Sequence, residues 1–83
     1  MRINVLFFGA TADTVGKRSF QTEIPEGVDA SAGFDLIFAE FPELETRHGR
    51  KNLHLSVNQE YSDGKEALFE GDELAVFTAV SGG

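Results

Sequence analysis

The two most apolar segments of this sequence lie near its opposite ends. Residues Arg2 to Phe8 and Glu73 to Val80 are rich in β-branched and aromatic side chains, and neither segment contains glycine or proline. Such runs are typical of strands, and strands that are apolar on both faces belong in the middle of a sheet. We therefore expect the first and last strands to lie side by side at the centre of a sheet, with the other elements built around them.

Three weaker strand patterns accompany this pair. Residues Ser19 to Ile24 and Leu53 to Val57 alternate polar with apolar side chains, which is the period of a half-buried strand. Tyr61 begins a short return piece after a turn. Residues 9–16, which are bounded by two glycines, are expected to be the loop of a hairpin between the first two strands.

One segment has the helical period instead. Between Ala30 and Phe41 the apolar residues recur every three or four positions. Asp29 or Ser31 can supply the N-cap oxygen, and Pro42 ends the helix because the residue before a proline is pushed out of the α region. Two strands, one main helix and then further strands predict an α+β fold with a mixed sheet over that helix, which is the β-grasp or ubiquitin-like arrangement.

Length and composition exclude several classes of function. The chain has 83 residues, so one domain, residues 1–83, is expected, and the lack of cysteine removes disulfides, thiolate metal sites and cysteine nucleophiles. The formal net charge of −7 disfavours nucleic acids and anionic membranes as partners. Neither a signal peptide nor a membrane-spanning run is recognisable, so the expected compartment is the cytoplasm.

Most patterns with catalytic or ligand-binding potential are weak. The segment from Gly9 to Lys17 lacks the spacing of a phosphate-binding loop. His48 and His54 have no convincing third ligand, so we expect no metal site and no bound cofactor. Three carboxylates near the end of the helix are expected on a solvated face rather than in a catalytic cleft. These are Glu40, Glu43 and Glu45.

The residues after the last strand carry more information. Val80, Ser81, Gly82 and Gly83 are expected to form a flexible tail, residues 80–83, that follows the central strand directly. Glycines lack Cβ atoms and can thread a channel that is too narrow for side chains, so such a tail can deliver the carboxylate of Gly83. Because a carboxylate is a poor electrophile, chemistry on it requires activation by another protein, for example as an acyl-adenylate.

The two central strands also have more apolar surface than one helix can cover. Phe8 points away from Phe7 in the first strand, and Phe77 points away from Val76 in the last. An apolar second face of the sheet either docks a partner or is covered by residues 9–17. We expect a partner.

Five short segments together carry a family resemblance over nearly the whole chain. They are Val5 to Gly9, Phe41 to Leu44, Val57 to Tyr61, Gly71 to Phe77 and Val80 to Gly83. In combination they resemble the small subunit of molybdopterin synthase, the MoaD-type ubiquitin-like sulfur carrier. This resemblance implies a β-grasp fold whose Gly83 is adenylated by a ubiquitin-activating-type enzyme with ATP. A sulfur donor enzyme then converts the adenylate to a thiocarboxylate.

The resemblance also implies the partner and the interface. The tail, residues 80–82, would thread the active site of the molybdopterin synthase large subunit. There the sulfur passes from Gly83 to cyclic pyranopterin monophosphate, in molybdenum cofactor biosynthesis. Phe8, Tyr61 and Phe77 match positions of the family's apolar docking surface. On this hypothesis the chain is a sulfur-donating cosubstrate that is not catalytic alone.

One departure from the family pattern leaves other roles open. Thr78 and Ala79 stand where the family often has two prolines before Val-Ser-Gly-Gly, so this chain keeps backbone donors that proline lacks. The alternatives are a sulfur carrier for thiamin, cysteine or tRNA thiolation, and a ubiquitin-like modifier that is joined to lysines. A binding module without terminal chemistry is the third.

Overall fold

The computed structural model describes residues 1–78 and contains one mixed five-stranded sheet. Its strand order is β2-β1-β5-β3-β4, with β1 and β5 parallel and every other pair antiparallel. The strands are β1 (Arg2–Phe7), β2 (Ser19–Glu23), β3 (Leu53–Val57), β4 (Glu60–Tyr61) and β5 (Glu73–Thr78). The predicted central pairing of the first and last strands is therefore confirmed.

The main helix is also where the sequence predicts it. Helix α2 (Ala30–Glu40) begins at the N-cap Asp29, whose carboxylate accepts a hydrogen bond from the backbone N–H of Ala32 at 2.9 Å. An N-cap carboxylate satisfies a backbone donor that has no partner within the helix. The helix ends before Pro42, as expected. The β-grasp prediction of a mixed sheet over one main helix is confirmed.

Two short helices were not predicted. Helix α1 (Ala10–Val15) occupies the expected hairpin loop, and helix α3 (Glu43–His48) follows Pro42 and leads through a 3₁₀ turn into β3. The prediction of a simple loop at residues 9–16 is therefore wrong. Helix α1 forms because Gly16 ends it in the left-handed conformation, at φ 85°, while Thr11 anchors its first turn in the interior.

Several predicted bounds shift by one or two residues. Phe8 lies beyond the end of β1, and β2 ends at Glu23 rather than Ile24. Strand β5 is described as far as Thr78. Residues 79–80, which the sequence assigns to the same strand, and the predicted flexible tail, residues 80–83, lie outside the described residues.

The core lies between the sheet and the helices. Its fully buried side chains come from β1, β5 and all three helices, and they include Ile3, Val5, Phe7, Thr11, Phe34, Ile37, Leu44, Leu74 and Val76. Phe41 packs edge-on against Phe7 and Phe20, with ring centroids 5.4 and 5.1 Å apart. Edge-to-face packing is a favoured aromatic geometry. This arrangement ties the end of α2 to the two strands that carry the first hairpin.

Gly33 explains why α2 tolerates a glycine in its interior. A Cβ atom at this position would lie 2.7 Å from Cδ1 of Leu68, which is itself buried. An alanine at this position would therefore require the buried Leu68 side chain to shift. The intrinsic cost of a glycine in a helix, about 1 kcal/mol relative to alanine, is accepted here for close packing.

No helix among residues 1–78 is both long enough and apolar enough to cross a membrane.

Candidate functional site

The sheet face that points away from the core presents a row of residues, one from each strand. The register places Leu6 between Ser19 and Ala75, and it places Ser56 between Ala75 and Tyr61. Ala75 and Ser56, in the middle of the row, are small and buried. Larger side chains therefore surround a shallow depression at the centre of this face, and a partner can fit its surface into that depression.

Three aromatic rings from adjacent strands cluster on this outer face. His54 stacks on Phe77 with ring centroids 5.8 Å apart and an interplanar angle of 26°. The Tyr61 ring lies 5.9 Å from Phe77 and 6.3 Å from His54. Tyr61 is 78% exposed, an unusual position for a large aromatic side chain in an isolated domain.

Phe8 extends the cluster toward the end of β5. It is 51% exposed, and together with Phe77, Gly9 and Thr78 it lines a groove of about 430 Å³. We call the surface formed by Phe8, His54, Tyr61 and Phe77 the aromatic docking face. The structure thus brings the three residues expected from the resemblance onto one surface.

Residues 9–17 leave the aromatic rings exposed. Ala12 and Val15 of helix α1 pack against the hydrophobic core, and α1 meets the outer face only at its edge, where it lines a groove beside Phe8. Phe8 and Tyr61 are still 51% and 78% exposed. The alternative in which this segment covers the second apolar surface is therefore wrong.

A buried threonine holds the strand ends beneath Phe8. The hydroxyl of Thr11 accepts a hydrogen bond from the backbone N–H of Phe8 at 3.0 Å. The single proton of this hydroxyl is within donating distance of two carbonyl oxygens, that of Val76 at 2.7 Å and that of Phe8 at 2.9 Å. One fully buried side chain therefore links the ends of β1 and β5 at the groove.

Replacing Thr11 by valine is expected to lower the free energy of unfolding by about 1–3 kcal/mol, because the shape is kept while buried backbone groups lose their partner. Urea denaturation followed by circular dichroism measures this change. Thr46→Val is the matched control, since Thr46 is exposed and its hydroxyl donates only to the carbonyl of Pro42. Equal losses in the two variants would contradict the role assigned to Thr11.

Tyr61 is positioned by a tight turn between β3 and β4. Asn58 and Gln59 both have positive φ angles, 50° and 73°, as the two central residues of a type I′ hairpin turn do. The Asn58 side chain donates to the Asp72 carboxylate at 3.0 Å and accepts from the backbone N–H of Glu73 at 2.9 Å. The turn is therefore tied to the start of β5, and Tyr61 is held beside Phe77.

The weak candidates from the sequence do not form a second site. His48 lies 2.8 Å through Nε2 from the Thr14 hydroxyl, a contact between α3 and α1, whereas His54 belongs to the aromatic docking face. No group of metal-ligating side chains gathers anywhere in residues 1–78. The carboxylates near the end of α2 are exposed, as predicted; they are Glu40, Glu43 and Glu45.

One carboxylate has a shifted pKa. The backbone N–H of Lys65 donates to Asp63 at 2.8 Å, and this bond lowers the pKa of the Asp63 carboxyl. Asp63 is exposed, and its carboxylate caps the turn that follows β4. It is a structural group of this turn rather than an acid or base.

Four of the predicted site residues lie outside the described residues; they are Val80, Ser81, Gly82 and Gly83. The last described residue, Thr78, lines the same groove as Phe8 and Phe77. The segment that contains the predicted tail is therefore joined to the chain at the edge of the aromatic docking face.

Comparison with known proteins identifies the family of this chain. The model of the ThiS family matches residues 5–83. The chain belongs to the ThiS family. The relatives of this ThiS-family chain include a molybdopterin synthase sulfur carrier subunit from Chlamydomonas reinhardtii, 33% identical over 85 residues and covering 100% of both chains. A protein of the same name from Caenorhabditis elegans is 35% identical, covering 98% of this chain and 96% of the relative.

A solved structure resembles the ThiS-family chain closely in fold. It is SAMP1, small archaeal modifier protein 1, from Haloferax volcanii, with a TM-score of 0.85, 27% sequence identity and coverage of 100% of both chains. The likeness to MoaD-type sulfur carriers that the sequence motifs carry is thus confirmed at the level of the family. The ubiquitin-like fold is confirmed with it.

Proposed function

We propose that this ThiS-family protein is the sulfur carrier subunit of a molybdopterin synthase. One observation carries the proposal: Phe8 and Phe77 line a groove with Thr78, so an exposed aromatic surface lies where the segment bearing the diglycine joins the sheet. A carrier needs the aromatic surface and the diglycine segment close together, because its partner must bind the folded domain while the tail enters an active site. The family match that extends to Gly83 and the relatives named as sulfur carrier subunits support the same role.

The proposed chemistry takes place on Gly83. Its carboxylate attacks the α-phosphate of ATP on a ubiquitin-activating-type enzyme, which forms an acyl-adenylate and releases pyrophosphate. A sulfur donor enzyme then supplies sulfur at the oxidation level of sulfide, whose attack on the acyl carbon displaces AMP and leaves a thiocarboxylate. Sulfur is softer and less tightly solvated than oxygen, so this group is a better nucleophile than the original carboxylate.

The remaining predicted residues have binding roles in this proposal. Residues 80–82 thread the active site of the large subunit, where the thiocarboxylate delivers sulfur to cyclic pyranopterin monophosphate. Phe8, Tyr61 and Phe77 anchor the carrier, since buried aromatic side chains at the centre of an interface supply most of its binding energy. The acidic body, with a net charge of −7, favours partners with basic rims.

An intact mass spectrum tests the proposal. The protein is incubated with an adenylating enzyme, ATP and a sulfur donor, and the expected product carries one sulfur in place of one oxygen at Gly83. Adding the large subunit and cyclic pyranopterin monophosphate should return the carrier to its carboxylate form. Absence of the sulfur-bearing species with several such enzymes would count against a carrier role. A sulfur-loaded carrier that gives up its sulfur only to another acceptor would instead assign the protein to a different sulfur pathway.

A second candidate function is protein modification. The likeness to a small archaeal modifier protein favours it, because the same activated Gly83 can be transferred to a lysine amine instead of to sulfur. The expected sign is a ladder of denaturant-resistant conjugates on target proteins that disappears when Gly83 is removed.

The cytoplasmic location expected from the sequence stays a prediction.

A further inference from the structure

A second groove lies beside the aromatic docking face, on the side of β4. It has a volume of about 350 Å³, and its lining includes Tyr61, Phe69, Glu60, Glu66 and Asp72, which we call the acidic aromatic groove. Tyr61 and Phe69 are 78% and 66% exposed, more than any other large apolar side chain in residues 1–78. Tyr61 belongs to both surfaces, so the groove continues the docking face.

The groove holds negative charge without a matching cation. No lysine or arginine of the described chain lines it. The ion pairs among residues 1–78 use carboxylates elsewhere, on Glu23, Asp35 and Glu45. The three carboxylates of the groove are therefore not neutralised by the protein itself within the described residues.

The three carboxylates have different tasks. Asp72 accepts from the Asn58 side chain at 3.0 Å and from the backbone N–H of Phe69 at 2.8 Å, so both of its oxygens hold the walls of the groove in place. One oxygen of Glu66 accepts from the Ser62 hydroxyl at 2.8 Å. Within the described residues no hydrogen bond or ion pair engages the Glu60 side chain, so its carboxylate is available for a ligand on this pre-formed frame, and Glu66 adds negative charge beside it.

We infer that the acidic aromatic groove binds an arginine side chain of the protein that covers the aromatic docking face. Arginine fits because its planar guanidinium stacks on aromatic rings and donates several hydrogen bonds to carboxylates at once. Lysine has a compact ammonium group that neither stacks flat on a ring nor forms the forked pair of hydrogen bonds with a carboxylate. The inference rests on the proposed function in that it assumes a protein partner on this face, and it names the side chain that the partner brings.

The test is an NMR titration of the full chain, ¹⁵N-labelled, with the peptide acetyl-Gly-Arg-Gly-amide. The matched control peptide contains citrulline, which has the shape of arginine without its charge. We expect the backbone amide signals of Glu60, Tyr61 and Phe69 to shift with the arginine peptide and not with the citrulline peptide. The apparent affinity should fall as salt is raised, because exposed charges are screened.

Two variants locate the binding. In Glu60→Gln/Glu66→Gln the affinity for the arginine peptide should fall about fivefold, the effect of about 1 kcal/mol expected for losing a surface ion pair. Leu36→Ala/Glu40→Gln is the control, because Leu36 and Glu40 line a separate groove between β2 and α2 and likewise combine an exposed apolar side chain with a carboxylate. This control should leave the affinity unchanged.

The outcomes separate this inference from the proposed function. The arginine site would be overturned if the arginine peptide caused no amide shifts, or if the citrulline peptide caused equal ones. Equal losses of affinity in the two double variants would also overturn it, because they would show a general attraction to an acidic surface. None of these results bears on sulfur loading at Gly83, which the mass spectrum measures independently. Conversely, a carrier that never acquires sulfur can still show the arginine-specific shifts.

Discussion

Removing Gly83 is expected to abolish thiocarboxylate formation completely while leaving the free energy of unfolding unchanged. The reason is chemical, since the reacting carbon would then belong to Gly82 and would stop one residue short of the activating enzyme's site. One residue of extended chain spans about 3.5 Å, and a misplacement of even 1 Å can cost about a hundredfold in rate. Intact mass spectrometry after incubation with the activating enzyme, ATP and sulfur donor measures the loss.

Two further variants make this result specific. Two residues added after Gly83 should abolish sulfur loading equally, because they block the carboxylate that is adenylated. Ser81→Ala is the matched control and should load normally, since it keeps both glycines. Full activity of the extended chain would favour the remaining alternative, a binding module without terminal chemistry.

Alanine substitutions at the adjacent residues Phe7 and Phe8 are expected to give opposite defects. Phe7 is 1% exposed and packs edge-on against Phe41, so Phe7→Ala should lower the free energy of unfolding by about 3–5 kcal/mol. Small domains have only about 5–15 kcal/mol in total, so much of this variant should be unfolded at moderate temperature. Thermal and urea denaturation measure the change.

Phe8→Ala should fold normally and lose its partner instead. Because Phe8 is half exposed on the aromatic docking face, we expect a change in unfolding free energy within about 0.5–1 kcal/mol. Its affinity for the molybdopterin synthase large subunit should fall about 30- to 100-fold, the effect of truncating an aromatic hot spot. Isothermal titration calorimetry measures that loss, and Leu36→Ala, at an exposed position on another surface, should leave both quantities unchanged. Normal binding by Phe8→Ala would remove Phe8 from the interface.

The strands and the main helix could be predicted because their patterns are long enough to repeat. β2 and β3 alternate over five residues, and α2 has 11 residues with a capping carboxylate at its start. Helices α1 and α3 have six residues each and offer no full repeat of the helical period. Their main inward anchors are Thr11 and Leu44, and a buried threonine looks like a surface residue in a sequence.

The candidate site was only partly predictable for a similar reason. Strand alternation places Phe8 and Phe77 on the outer face, but it does not say which residues of different strands are neighbours. The register places His54 opposite Phe77, and this pairing brings a histidine into the aromatic docking face. No local signal distinguishes His54 from any half-buried histidine. The exposed position of Phe69 was not predicted either, because it depends on how the segment before β5 folds.

The parallel pairing of β1 with β5 has a consequence for how the protein is made. The first strand emerges from the ribosome early, yet its central neighbour is among the last parts of the described chain to be synthesised. Contacts between residues so distant in sequence form slowly, because a long loop must close before they are gained. Until β5 has been synthesised, the core and the aromatic docking face are both incomplete. We therefore expect a chain whose synthesis stops before β5 to be unable to bind the partner of the complete protein.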